Sequence, residues 1–155
     1  VRVSRRRPPA PAVSTFPGAF LEFVRLFNEG RYWDSHEALE DRWRATQSDF
    51  YQGLIIYASA FVHAGRGNPN GVEAQLEKAL RYLEPYPDRY HGIDVGELRR
   101  EAGRCLELVR GRRRGGEDEP AAGWESLLPT PRLQPDEALI RGDEPELTPP
   151  RESSS

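Results

Sequence analysis

Cysteine, methionine and lysine are almost missing from this 155-residue chain: there is one Cys, no Met and one Lys, at position 78. A lone Cys105 cannot close an internal disulfide. It falls in an apolar helical pattern and reads as a small buried hydrophobe, so a reducing, cytoplasmic compartment fits. Arg replaces Lys nearly everywhere, a bias expected of a GC-rich bacterial genome, in which Val1 can be read as a literal start codon. No run of about 18 apolar residues exists, which excludes a membrane-spanning helix. Arg5-Arg6-Arg7 is followed by Pro8, Pro9 and Pro11 rather than by an apolar segment, so the N-terminus is not read as a secretory signal. A net charge of -3 implies no strong pull toward nucleic acid or a membrane surface. Convincing strand patterns are missing as well.

Apolar residues concentrate between Phe16 and Val109, and both ends are rich in Pro, Arg, Glu and Ser. This predicts a disordered basic, Pro-rich tail over residues 1–14, a helical domain over 15–112 and a disordered Pro- and Glu-rich tail over 113–155. In the second tail, Trp124, Leu127 and Leu128 form a candidate short docking element. A first helix begins near Pro17, carries Phe20, Phe23, Val24 and Phe27 on one face, and closes at Gly30 in a left-handed cap. A second spans about Trp33 to Ala45, the short link making the pair an antiparallel hairpin. Ser48 or Asp49 caps a third, from about Phe50 to Ala64. It is apolar over most of its circumference and therefore central. Gly53 and Ala60 on it would let another helix approach closely. A Gly-, Asn- and Pro-rich turn precedes a fourth helix, Val72 to Glu84, ended by Pro85 and Pro87. Tyr90 to Ile93 reads as a loop. Asp94 and Glu97 have capping-box spacing before a fifth helix carrying Val95, Leu98, Ala102, Cys105, Leu106 and Val109. The expected fold is all-α, a single bundle of about five helices. A homodimer would form if the third or fourth helix kept an apolar face uncovered.

The second helix organises the rest. At about 100° per residue, Trp33, His36, Leu39, Glu40 and Trp43 share one arc. The face expected to turn inward, by its two tryptophans and a leucine, thus carries an imidazole and a carboxylate. Buried polar groups need partners. His36 and Glu40, four residues apart, have metal-ligand spacing. His63, on the one polar strip of the third helix together with Gln52 and Ser59, is a candidate third ligand. Glu37 stands at the edge of the arc, where a general base would be placed. The zinc-protease motif has a second His where this chain has Glu40, so this is a different motif. Two His and one carboxylate would suit a divalent metal, zinc or ferrous iron.

Against that stands a structural reading. His36, Glu40, His63 and Gln52 could bond one another and fix the helix packing. It weighs more heavily, since only three candidate ligands and no further orienting carboxylate are visible. Acid–base catalysis without metal, by a glutamate whose pKa is raised beside Trp43, ranks below both. A small ligand would be held through Trp43, Gln52 and Asn68. However, Trp43 has the spacing of a core residue, and Asn68 before Pro69 is a turn former. Asn28 reads as a cap, and His91 as exposed. The clusters Arg5-Arg6-Arg7 and Arg112-Arg113-Arg114 sit in Pro- or Gly-rich contexts and read as solvated tails rather than nucleic-acid contacts. Gly65-Arg66-Gly67-Asn68 lacks the strand-then-helix setting of a phosphate loop.

The runs Phe27-Asn28-x-Gly30-x-Tyr32 and His36-Glu37-x-Leu39-Glu40-x-x-Trp43 resemble the pattern of the domain of unknown function 309 family. Tyr51-Gln52-Gly53-Leu54-Ile55, Ala58, His63, Gly67-Asn68 and Gly92-Ile93-Asp94 agree with it in the same order. The resemblance covers about the span read as folded and leaves out both tails. It implies a small bacterial or archaeal helical bundle and no particular activity. The first hairpin is also similar to one tetratricopeptide unit, but the third and fourth helices do not repeat it, so no peptide-binding array is expected.

Overall fold

A computed structural model describes residues 18–115, 128 and 132–135. Residues 1–14, and Trp124 and Leu127 of the candidate docking element, lie outside the described residues. The architecture is all-α, with five helices among the described residues: α1 (Gly18–Asn28), α2 (Tyr32–Thr46), α3 (Asp49–Gly65), α4 (Pro69–Leu83) and α5 (Val95–Arg114). Between α4 and α5 a two-residue hairpin pairs β1 (Arg89–Tyr90) with β2 (Ile93–Asp94), Arg89 opposite Asp94 and Tyr90 opposite Ile93.

Helix α1 forms because Phe20, Phe23, Val24 and Phe27 recur at helical spacing, and all four are buried. It ends at Gly30, whose φ of 81° is left-handed. There the Gly30 N–H donates to the Phe27 carbonyl and the Arg31 N–H to the Leu26 carbonyl, a Schellman closure that turns the chain straight into α2. Helix α3 is the centre of the bundle, buried on nearly every face, with α2 on one side and α4 on the other. Ser48 caps it through its side chain, which accepts from the Tyr51 N–H. Gly53 is where α4 comes close: a Cβ there would stand 2.8 Å from Leu83 Cδ2 and 3.2 Å from Tyr82 Cβ.

Several elements differ from the sequence reading. Helix α4 begins at Pro69, three residues before Val72, because Asn68 is its N-cap and Pro69 takes the first turn, where a missing N–H costs nothing. Asn68 Oδ1 accepts from the Gly71 N–H at 3.1 Å. The stretch read as a loop at Tyr90 to Ile93 is a tight hairpin, with His91 (φ 55°) and Gly92 (φ 77°) both left-handed, as the right-handed twist of a two-residue hairpin demands. That turn drives His91 inward. Rather than exposed, it is 3% accessible, edge-on to Phe20 and hydrogen-bonded through Nε2 to the Tyr51 hydroxyl at 3.2 Å.

Asn28, read as a cap, instead ties down a segment 105 residues away: its Nδ2 donates to the Leu133 carbonyl (2.7 Å) and its Oδ1 accepts from the Leu133 N–H (2.8 Å). Leu128 and Leu133 are both buried against the helical core. Cys105 is fully buried, as expected.

Candidate functional site

Helix α2 turns its buried line to Leu39, which is inaccessible to solvent. Measured around the axis from Leu39 at about 100° per residue, Trp43 lies about 40° away, His36 about 60°, Glu40 about 100°, Trp33 about 120° and Glu37 about 160°. Exposure follows that order: the His36 side chain is 21% exposed, Glu40 26%, Trp33 51% and Glu37 53%. The His/Glu group thus occupies the shoulder of the helix and not its inward line. Trp33, expected inward, is exposed. Ser35, on the other side of Leu39, is buried, its hydroxyl donating to the Tyr32 carbonyl at 2.8 Å. The two tryptophans had marked the inward direction, yet both lie on the same side of the true line, Trp43 about 40° and Trp33 about 120° from it.

One ligand atom each from His36, Glu37 and Glu40 lies within 4.8 Å of the others. His36 Nδ1 is 3.7 Å from Glu37 Oε2 and 4.0 Å from Glu40 Oε1. That nitrogen is shielded from solvent and has no hydrogen-bond partner among the described residues. The imidazole lies flat on the Trp33 indole, with centroids 5.1 Å apart and planes 9° from parallel, and the Arg66 guanidinium sits 5.9 Å from the Trp33 ring. Glu40 is also held by Arg44 at 2.9 Å. A tetrahedral metal with ligand bonds of about 2.0–2.2 Å sets its donors about 3.4 Å apart. The two spacings from His36 Nδ1, 3.7 and 4.0 Å, are wider than that, and the three ligand atoms together lie within 4.8 Å of one another.

His63 stands apart from this group, at the junction of α3 and α4. Its Nδ1 accepts from Asn68 Nδ2 at 3.0 Å, and it packs so closely on Gly71 that a Cβ there would lie 2.5 Å away. Burial first, then the nearby Arg66 charge, pulls its pKa below the ordinary histidine value. The structure therefore brings His36, Glu37 and Glu40 together, makes His63 and Asn68 a separate pair, and leaves Trp43 and Gln52 half-buried.

Two features escaped the sequence reading. One is a groove of about 410 Å³ beside the His/Glu group, lined by Tyr32, Trp33, Phe61 and Arg66 among others. The other is Tyr57, fully buried on α3, whose hydroxyl has no hydrogen-bond partner among the described residues. The available signal was a tyrosine on a face otherwise filled by Leu54, Ala58 and Phe61, since a buried phenol needs a partner for its polar tip.

A central apolar helix flanked by a hairpin that carries a His/Glu group defines a small helical-bundle domain. Residues 20–74 match the family model of "Domain of unknown function (DUF309)", which supports the resemblance carried by the motifs. The match takes in α1, α2, α3 and the start of α4, and stops short of Gly92-Ile93-Asp94. The chain is also similar to an uncharacterized protein of Aquifex aeolicus (strain VF5), 32% identical over 77 residues. That alignment covers 47% of this chain and 23% of the relative's length. No solved structure matches the chain. No helix among the described residues is long and apolar enough to cross a membrane.

Proposed function

We propose that His36, Glu37 and Glu40 form a divalent-metal site of zinc-like preference, and that the domain is a bacterial, cytoplasmic metal- or small-ligand-binding module. One observation supports this above the rest: the shielded Nδ1 of His36 has no hydrogen-bond partner while two carboxylate oxygens stand at 3.7 and 4.0 Å. A buried polar atom left unsatisfied is costly, and a cation seated between the three groups would satisfy all of them. Three protein donors leave a position for water or substrate. In the small-ligand form of this reading, the ligand lies in the groove beside Trp33. The cytoplasmic part rests on Cys105, buried and with no second cysteine to pair with.

The test is elemental analysis of protein purified without an affinity tag, followed by zinc titration in a calorimeter. Stoichiometric uptake that His36→Ala and Glu40→Gln abolish is the expected result. No metal on purification and none taken up on titration would refute the metal reading. A second reading, in which the group only stabilises the hairpin, draws on the Glu40–Arg44 ion pair and the stacking of His36 on Trp33. It requires His36→Ala to lose roughly 1–3 kcal/mol of stability, where a binding role leaves stability near wild type.

A further inference from the structure

Residues 132–135 have no regular secondary structure, and burial alternates around Leu133: Arg132 and Gln134 are exposed, while Leu133 is 4% accessible and packed on the helical core. Asn28 Nδ2 donates to the Leu133 carbonyl, and Asn28 Oδ1 accepts from the Leu133 N–H. The N–H and C=O of one residue point to the same side where the backbone is extended. A single side-chain amide then meets both, as a neighbouring strand would. Such a clamp reads main chain and carries no sequence preference. The preference lies in the one large apolar side chain that enters beside it. Around that leucine the sequence Leu128-Pro129-Thr130-Pro131-Arg132-Leu133-Gln134-Pro135 has three prolines. Their rings fix φ and reduce the freedom lost on docking.

Two observations separate this groove from its present occupant. Asn28 lies within residues 20–74, which the family model matches, whereas residues 128–135 lie outside that match. About 340 Å³ of space also stays open beside Leu133, next to Tyr57, Ile93 and Leu98, so the segment underfills the groove. Charge does not select the occupant. On that wall Asp94 is paired with Arg89, Glu97 with Arg100 and Arg104, and Glu101 with Arg104. Two buried leucines and one amide clamp are few contacts, so the segment can leave without the bundle unfolding.

We propose that this face of the bundle is a peptide-binding groove. It takes an extended peptide in trans, its main chain clamped by Asn28 and one large apolar side chain seated where Leu133 sits. Residues 128–135 of the chain itself are its occupant in cis. This is recognition by strand addition reduced to one side-chain amide, with a single pocket for specificity. The groove shares no residue with the His36 group, so it stands or falls independently of the metal reading.

The experiment uses the full chain with Leu128→Ser and Leu133→Ser, which frees the groove. The labelled protein is titrated with the capped peptide of residues 128–135 while the Asn28 side-chain amide is followed by NMR. Saturable shifts of that amide are expected, and adding Asn28→Ala to the protein should weaken binding roughly tenfold. A peptide N-methylated at Leu133, which lacks the N–H donor, should also bind roughly tenfold more weakly, as should a peptide carrying Leu133→Ser. The wild-type chain should bind the peptide more weakly than the freed one, because its own segment competes at high effective concentration. The proposal is overturned by the absence of a saturable shift in the freed protein, by an N-methylated peptide that binds undiminished, or by Asn28→Ala having no effect. Sedimentation should find the wild-type chain monomeric. A dimer that Leu133→Ser dissolves would assign the groove to a second copy and overturn the proposal. Should the doubly substituted chain fail to fold, the wild-type chain decides: excess peptide must speed hydrogen exchange at the Leu133 amide and leave Leu54 unchanged, and unaltered exchange at Leu133 overturns the proposal.

Discussion

Substituting Asn28 should release a segment more than a hundred residues downstream while leaving the bundle folded. The side-chain amide of Asn28 makes two hydrogen bonds with the backbone of Leu133, at 2.7 and 2.8 Å. Each is worth about 0.5–1.5 kcal/mol net, so Asn28→Ala should cost the docked segment about 2 kcal/mol. The loss matters because docking is otherwise near balance. Burying Leu128 and Leu133 returns about 1.5–3 kcal/mol apiece. Ordering the backbone of residues 132–135 costs about 1–2 kcal/mol per residue, a sum of similar size. A change of about 2 kcal/mol alters the undocked population roughly 30-fold.

Hydrogen exchange reads this directly, since the Leu133 N–H is itself one of the two donors. In Asn28→Ala its protection should drop by about 30-fold, with the amide of Leu54 in α3 nearly unchanged. Asn28→Asp keeps an acceptor for the Leu133 N–H but turns a negative oxygen toward the Leu133 carbonyl, so it should release the segment as well. Unchanged protection at Leu133 would refute the clamp. A parallel loss at Leu133 and Leu54 would show that the segment unfolds only with the whole core.

Further outcomes are expected at Gly53, Cys105 and His63. Gly53→Ala should lower stability by about 1–2 kcal/mol in urea denaturation, since overpacking against the fully buried Leu83 outweighs the roughly 1 kcal/mol gained in helix propensity. The Cys105 thiol, pushed up to about 12 by burial and then by Glu101, should resist a thiol reagent in native protein and react once urea is added. Because the unfolded thiol ionises near 9, its contribution to stability should be complete below pH 9 and be lost as pH rises toward 12. His63 has the opposite sense. Its folded pKa lies below 6.5, so its contribution is present above pH 6.5 and is lost as pH falls through the folded value. Asn68→Asp should move that titration upward in a histidine NMR experiment, because a carboxylate replaces the amide donor facing Nδ1.

How much of this was legible in the sequence depended on the kind of signal. Periodicity placed the helices because each needs one apolar stripe, and α3, apolar all round, could only be central. Caps set by a single local bond were readable at Ser48, Asp94 and Gly30. Asn68 misled because one side chain can serve a turn or a cap, and the choice rests on whether Pro69 opens a helix. The hairpin at His91-Gly92 was too short to show strand alternation, so the burial of His91 was invisible without it. The Asn28–Leu133 contact spans 105 residues, and no local pattern encodes a partner at that distance. At the site, spacing along one helix put His36, Glu37 and Glu40 near one another, whereas the direction of α3's polar side depended on inter-helix rotation. That rotation turned His63 toward α4.

The misjudged direction of α2 bears on function more than a correct one would have. A His/Glu cluster on the inward line would be sealed in the core, where packing and hydrogen bonds must satisfy every polar atom, and a structural role would then suffice. On the shoulder the same residues meet two conditions at once. Trp33 and Glu37, each about half exposed, leave an approach from solvent beside the groove. His36 Nδ1 remains shielded and without a hydrogen bond, so something that accepts its lone pair gains more there than at an open surface, where water would already have done so. A polar network built only for stability would be expected to close its own bonds. This one leaves its most shielded nitrogen open beside two carboxylates, which favours a cation over a purely structural role.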